Sequence, residues 1–226
     1  MIKLYNRDNR DVTLKDLGGR PNLIYADMIY ENLDMTWLWK YWEMLSPNSI
    51  FIVQTDWHSL FEVGYYMKYR LNATHINHIC WKNEFGNFPK NKFRQSHDDV
   101  LIFANGKDYK FYPDRVQVEK ATAKSKGLNP SGRTTKLATS VWTDICLTTV
   151  AKERVKKEDG HNIRWQKPLA LMERLISPFV DVGDLVVDPF CGTATTGVVA
   201  KELGCDFVGI ESDKEVYNIA KKRLGL

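Results

Sequence analysis

The sequence predicts an α/β fold built on a doubly wound, mostly parallel sheet. Two observations carry that expectation. Short apolar runs of strand length alternate with segments of helical period along most of the chain. Three acids, Asp27, Asp188 and Glu211, each stand at the end of such a run, which is where ligands bind on parallel sheets. At 226 residues the chain suits one domain, or one domain with a large insertion, and is long enough to bury a sizeable core.

The elements follow in order. Residues 2–6 alternate apolar and polar and form a short strand. Residues 13–17 make a helical turn closed by Gly18-Gly19. Residues 22–26 are a buried strand ending at Asp27. Residues 35–45 are apolar at helical spacing and stop at Pro47-Asn48. A strand over 49–54, a helix over 60–69 and strands over 74–81 and 100–104 come next, the last two separated by a polar, aromatic loop at 83–95. Residues 106–164 are the least periodic part and read as an insertion rather than core; the charges at 152–154 and 156–158 look like a solvated helix face. A helix over 168–180 starts on a proline. A strand over 184–188, a helix over 195–203, a strand over 207–211 and a helix over 213–224 close the chain.

Composition excludes several classes. No apolar run reaches the length of a membrane span, and the N-terminus is no signal peptide. The four cysteines, Cys80, Cys146, Cys191 and Cys205, show no paired spacing and read as free thiols of a reducing, cytoplasmic compartment. His75 and His78 lack a matching pair, so no metal is expected. Net charge is +4, and residues 107–136 hold eight Lys/Arg against three acids. The basic excess therefore sits in one stretch, where a solvated charged loop is the default reading.

Residues 186–197 read as a site. A hydrophobic strand runs into a small-residue turn and then a helix. Gly192 allows close backbone approach or positive φ. Thr195 and Thr196 open a helix whose N-terminal amides favour a negative group. The spacing departs from G-x-G-x-x-G, with Ala194 where a second glycine would stand. Glu211 follows about twenty residues later, placed to accept hydrogen bonds from ribose hydroxyls. The pair fits an adenosine-containing cofactor, but either feature alone is better read as an ordinary α/β turn or strand-end acid.

The segment Asp188-Pro189-Phe190-Cys191-Gly192-Thr193-Ala194-Thr195-Thr196 resembles the D-P-F-x-G-S-G-T-T loop of amino-methylating DNA methyltransferases. Gln166-Lys167-Pro168 resembles the family's Q-K-P, Gly209-Ile210-Glu211 its G-I-E, and residues 217–224 its closing Y-x-x-x-x-x-R-L helix. The resemblance implies a methyltransferase-type sheet with S-adenosylmethionine against Phe190, Gly192, Thr193, Thr195 and Glu211, and Lys167 near its carboxylate. Asp27, Asp188, Pro189, Thr196 and Ser212 also belong to that candidate cofactor set.

The family's other hallmark, D-P-P-Y or S-P-P-Y after a strand, is matched by Asp27-Met28-Ile29-Tyr30, with both prolines missing. An exocyclic amino group is a poor nucleophile because its lone pair is delocalised into the ring. By resemblance, Asp27 and the Met28 carbonyl grip its protons and Tyr30 stacks on the extruded base, while in-line positioning supplies most of the catalysis. Proline presets the loop, so Met28 and Ile29 must be held by packing instead. The order is the permuted, catalytic-region-first one. Residues 45–53 resemble the family's L-K-P-G-G segment, Trp81-Lys82 its W-x-K, and residues 96–103 its h-E-x-I-L-x-F, with Asp98 where Glu is usual. The permutation lets residues 2–6 supply the strand beyond the ribose-binding unit. Asp8, which also belongs to the candidate cofactor set, then accepts from the adenine amino group or is simply a loop acid.

The implied organisation is a catalytic half over 1–105, an inserted target-recognition region over 106–164 and a cofactor half over 165–226. The expected partner is double-stranded DNA, bound by a monomer or homodimer and without a membrane. The phosphate contacts expected are Lys90, Lys92 and Arg94 in the aromatic loop with Phe85, Phe88 and Phe93, and Lys124, Lys126 and Arg133 in the insertion. Asp27 in place of Ser leans the reaction towards adenine N6. Cytosine N4, or a catalytically impaired cofactor- and DNA-binding module, are the alternatives.

Overall fold

A computed structural model describes residues 1–27, 34–83, 89–120, 133–147, 153–157, 159–163 and 165–226. The first half runs β1 (Ile2–Tyr5), α1 (Leu14–Leu17), β2 (Leu23–Asp27), α2 (Thr36–Met44), β3 (Ile50–Thr55), α3 (Leu60–Tyr65), β4 (Thr74–Lys82) and β5 (His97–Ala104). Three short strands follow, β6 (Gln117–Glu119), β7 (Thr135–Leu137) and β8 (Val141–Trp142). The chain closes with α4 (Leu169–Ile176), β9 (Leu185–Asp188), α5 (Thr195–Glu202), β10 (Asp206–Ile210) and α6 (Lys214–Leu224).

Eight strands form one sheet in the order β1-β10-β9-β2-β3-β5-β4-β8. The run from β1 to β3 is parallel, and β5 lies antiparallel between β3 and β4. The first strand pairs with β10, Ile2 opposite Phe207 and Tyr5 opposite Ile210, as the permuted reading requires. Successive residues of each strand sort to opposite faces. Leu23, Tyr25, Ile50, Ile52 and Val186 pack under α4, α5 and α6, while Ile24, Ala26, Phe51, Val53 and Val187 pack under α1, α2 and α3.

The centre of the sheet joins strands far apart in sequence. β2 and β9 pair through Leu23–Val186 and Ile24–Val187. One chain path leaves this pair through α5 to β10 and the other through α2 to β3. The crossovers diverge, so a crevice opens beyond the C-terminal ends of β2 and β9. Asp27 is the last residue of β2 and Asp188 the last of β9.

Three expectations are corrected. β5 begins at His97 rather than at residue 100, because its polar residues are satisfied within the sheet: Asp99 meets His78 at 2.7 Å and Asp98 meets Gln54 and Asn83 at 2.9 and 2.6 Å. Part of 106–164 belongs to the core. β8 extends the main sheet beside β4, Trp142 and Ile145 are buried, and the Trp81 indole donates to the Ile145 carbonyl at 3.2 Å. Residues 153–157 are not helical. Lys156 bridges Asn162, Lys157 pairs with Glu215, and Glu153 accepts from the Leu169 amide at the start of α4, where the helix dipole favours an acid. Lys152 and Glu158 lie outside the described residues. The helix expected over 60–69 holds, but its second half, Tyr66–Arg70, is a π-helical turn.

The seat of α5 on β10 is tight. A Cβ added at Gly197 would stand 2.5 Å from the buried Phe207 ring. Alanine in a helix normally gains about 1 kcal/mol over glycine. Here overpacking should outweigh that gain, so Gly197→Ala lowers the unfolding free energy by about 1–2 kcal/mol in a urea titration; an increase contradicts the packing.

Candidate active site

The loop after β9 is held from four directions. The Asp188 carboxylate accepts from the Phe190 amide at 3.0 Å and from the Thr196 hydroxyl at 2.6 Å, folding the turn back over the strand end. The Cys191 amide donates to the Ile210 carbonyl of β10 at 2.9 Å. Arg223 of α6 reaches over and donates to the Thr193 carbonyl, the Thr193 hydroxyl and the Thr195 hydroxyl at 3.1, 3.2 and 2.9 Å. The Phe190 ring meets Trp37 of α2 edge-on, with centroids 4.9 Å apart. Gly192 and Ala194 both have positive φ, 50° and 58°, and a Cβ at Gly192 would meet nothing within 4 Å. The backbone of the loop is thus open to an approaching group. Ala194 holds a left-handed conformation that costs about 1 kcal/mol outside glycine.

Glu211 follows β10 directly. Its carboxylate accepts from the Asp213 amide at 2.8 Å. Burial pushes its pKa up. Asn6, just past β1, donates to the carbonyls of Glu211 and Ser212 at 2.9 and 3.0 Å and so ties the permuted first strand to the site. Asp8 also lines the site, but its oxygens already accept from the Arg10 amide, Nε and guanidinium at 2.8, 3.0 and 2.6 Å. The Arg10 hydrogen bonds hold the Asp8 carboxyl down at about 2. A ligand amino group at Asp8 would have to share it with Arg10.

Across the crevice, the Lys167 ammonium lies 2.8 Å from Asp27 and 3.7 Å from Asp98. Burial acts to lower the pKa of Lys167, but the two carboxylates outweigh it and the net direction is upward, so the lysine is charged. Asp98 is raised, chiefly by burial. Behind it, the Tyr25 hydroxyl donates to Gln54 Oε1 at 2.7 Å, which turns Gln54 Nε2 towards Asp98 at 2.9 Å. Burial pushes Asp188 to about 7, against the pull of its Thr196 hydrogen bond.

One cavity of about 740 Å³ joins these parts. All the expected cofactor residues line it: Asp8, Asp27, Lys167, Asp188, Pro189, Phe190, Gly192, Thr193, Thr195, Thr196, Glu211 and Ser212. Met28 and Tyr30 lie outside the described residues, as do Lys124, Lys126, Phe85 and Phe88. Lys90, Lys92, Arg94 and Arg133 are exposed and stand apart from the cavity lining; the Lys92 ammonium sits 4.9 Å from the Trp57 ring centroid. Lys167 falls in the cavity as expected, but its partners are carboxylates of the protein. Sequence reasoning placed Asp98 in a recognised segment without giving it a role, and it missed Trp37 and the clamp by Arg223. Arg223 lay inside a recognised segment without a role, and Trp37 carried only the signal of an apolar helix face.

The DNA methylase family model matches residues 25–222. The type II methyltransferase M.HinfI of Haemophilus influenzae is 32% identical over 198 residues, which cover 86% of this chain and 51% of that protein. The type II methyltransferase M2.DpnII of Streptococcus pneumoniae is 32% identical over 185 residues, 80% of this chain and 62% of that protein. The chain therefore spans about half to three fifths of the length of these curated relatives. Among solved structures, the M1.HpyAVI–SAM complex superposes with a TM-score of 0.73 at 23% identity, over 99% of this chain and all of the other. The cytosine-N4-specific PvuII DNA methyltransferase superposes at 0.70 and 16% identity, over 98% and 86%. At those identities the likeness is one of fold.

The buried acids set a pH dependence. Asp188 holds its proton up to about 7 when folded, whereas the unfolded chain releases it near the ordinary value of 3.8. Such a raised acid contributes stability that is complete below the unfolded pKa and is lost as pH rises through the folded one. Glu211 and Asp98 shift in the same direction. The unfolding free energy, measured by urea titration, should therefore fall between pH 4 and pH 7, and Asp188→Asn should flatten that slope. A wild-type stability that rises across this window contradicts the assignment.

Proposed function

The chain belongs to the DNA methylase family, and on that premise we propose that it moves a methyl group from S-adenosylmethionine to the exocyclic amino group of a base flipped out of double-stranded DNA, with adenine N6 the favoured acceptor. The observation that supports this reading most is the single cavity shared by Asp27 at the end of β2 and the loop after β9. A donor and an acceptor bound at these two strand ends face each other.

The residues present fit the cofactor. The cavity lies within the size range of small-molecule sites. Among the residues that line the cavity, Asp8, Asp27, Asp34, Asp188 and Glu211 outnumber Arg7, Arg10 and Lys167, which suits a ligand of net positive charge. The open backbone at Gly192 admits close approach, Glu211 offers acceptors for ribose hydroxyls, and the Phe190 ring, braced by Trp37, offers a flat apolar wall. S-adenosylmethionine supplies the methyl group as an electrophile.

On the protein side, Asp27 accepts a hydrogen bond from the target amino group and the Met28 carbonyl accepts the other. Two acceptors make the nitrogen more pyramidal and localise its lone pair for in-line attack. Tyr30 stacks on the flipped base. Met28 retains the carbonyl this chemistry needs, which favours a working enzyme over an impaired module despite the missing prolines. Asp27, an acid where Ser is the alternative, favours adenine over cytosine. Lys90, Lys92, Arg94 and the basic insertion residues neutralise phosphates, which positions the duplex without reading it.

Incubation with tritiated S-adenosylmethionine and mixed-sequence DNA, followed by digestion to nucleosides, should yield labelled N6-methyladenine. Label in cytosine would overturn the base assignment, and cofactor binding without transfer would favour the impaired module. Asp27→Ala should lower transfer at least about 100-fold and leave cofactor affinity largely intact; equal loss of both would mean that Asp27 does not act on the target amino group. Neutralising Lys90, Lys92 and Arg94 together should flatten the salt dependence of DNA binding by up to about three phosphate contacts. An unchanged slope takes that loop out of the interface.

A further inference from the structure

The geometry points to Asp98 as a positioning residue of the transfer reaction: it offers Lys167 a second partner and thereby releases Asp27 Oδ2 from the ammonium to accept from the target amino group. The inference rests on the reading of Asp27 as the acceptor for that group.

The Lys167 ammonium sits on Asp27 Oδ2 at 2.8 Å. A carboxylate oxygen engaged by an ammonium is a weaker acceptor, and the ammonium competes with an approaching amino proton. Lys167 is almost fully enclosed, with 10% of its side chain exposed, so little water is at hand to replace Asp27 when a base arrives. An ammonium stripped of both water and a counter-charge is costly. Something inside the protein must receive it.

Among the described residues, Asp98 is the only carboxylate besides Asp27 within 4 Å of that ammonium, at 3.7 Å. A small rotation of the lysine stem closes that distance to contact. The carboxylate is held ready for it. Gln54 Nε2 donates to Asp98 Oδ2 at 2.9 Å, Asn83 Nδ2 donates to Oδ1 at 2.6 Å, and the Tyr25 hydroxyl fixes the orientation of Gln54. Donors on both oxygens keep Asp98 in one rotamer facing Lys167. Because β5 begins at His97, the register Lys82–His97 and Trp81–Asp98 brings this acid within 4 Å of Lys167. Two carboxylates sharing one ammonium leave the group with a net negative charge in either position of the lysine. Its transfer from Asp27 to Asp98 therefore changes no proton count and breaks no covalent bond.

The test uses the full chain with S-adenosylmethionine and DNA. Asp98→Asn removes the charge and keeps the shape, and Asp98→Glu restores the charge. Transfer by Asp98→Asn should fall about 10–100-fold in kcat, with cofactor Kd within about twofold and the far-ultraviolet spectrum unchanged; Asp98→Glu should recover most of the loss. In a Lys167→Met background, Asp98→Asn should have little further effect, because the acid acts through the lysine. A separate readout needs no DNA: nitrogen-15 resonances of the Lys167 ammonium should titrate at lower pH in Asp98→Asn than in wild type. Unchanged kcat in Asp98→Asn, full additivity with Lys167→Met, or an unchanged lysine titration each overturns the inference. Absence of transfer by the wild-type protein would instead sink the proposed function, and the lysine titration would still report on the pairing of Asp98 with Lys167.

Discussion

The pairing of β2 with β9 is the constraint on which the rest of the structure depends. These strands are separated by most of the chain, yet Leu23 lies beside Val186 and Ile24 beside Val187. Backbone hydrogen bonds and a continuous apolar layer on each face hold the pair at the middle of the sheet. Their crossovers leave in opposite directions, so among the described residues no helix covers the ends of the two strands. Asp27 and Asp188 are brought together there without being neighbours in sequence. Every other feature of the site elaborates this meeting: β10 adds Glu211, β1 adds Asn6 and Asp8, and the segment before α4 adds Lys167.

The site gathers carboxyl groups, some of them deeply buried, that the fold keeps tolerable by several means. Asp188 is satisfied by an amide and a hydroxyl and rises to about 7. Asp27 and Asp98 share Lys167. Asp8 is held by Arg10. Groups so arranged are expensive to bury unless a ligand or a partner uses them. Acids outnumber cations along the cavity wall, which suits a cationic cofactor and accounts for acids rather than hydroxyls or amides at the ends of three central strands.

Much of this was legible in the sequence, for physical reasons. Period-2 and period-3.6 patterns report which face of an element is buried, and the central strands are buried on both faces. The strand-end acids and the small-residue turn were readable because a strand must stop and a helix must start there. The β1–β10 pairing was readable only through the order of the segments, since four half-buried residues carry little signal of their own. What stayed hidden depended on partners distant in sequence. Asp98 and Asp99 look like loop residues until Gln54, Asn83 and His78 satisfy them. Trp142 looks like an isolated aromatic in a polar stretch until β4 gives β8 a strand to join. The hold of Arg10 on Asp8 is local, but no pattern distinguishes it from a surface pair.

A crystal structure of the protein with S-adenosylmethionine bound tests the central claim most directly. The expected result has the ribose hydroxyls on Glu211, the cofactor body against Phe190 and Gly192, and the sulfonium methyl turned across the crevice towards Asp27. A cofactor lodged elsewhere, or one in this cavity with its methyl directed away from the end of β2, would contradict it.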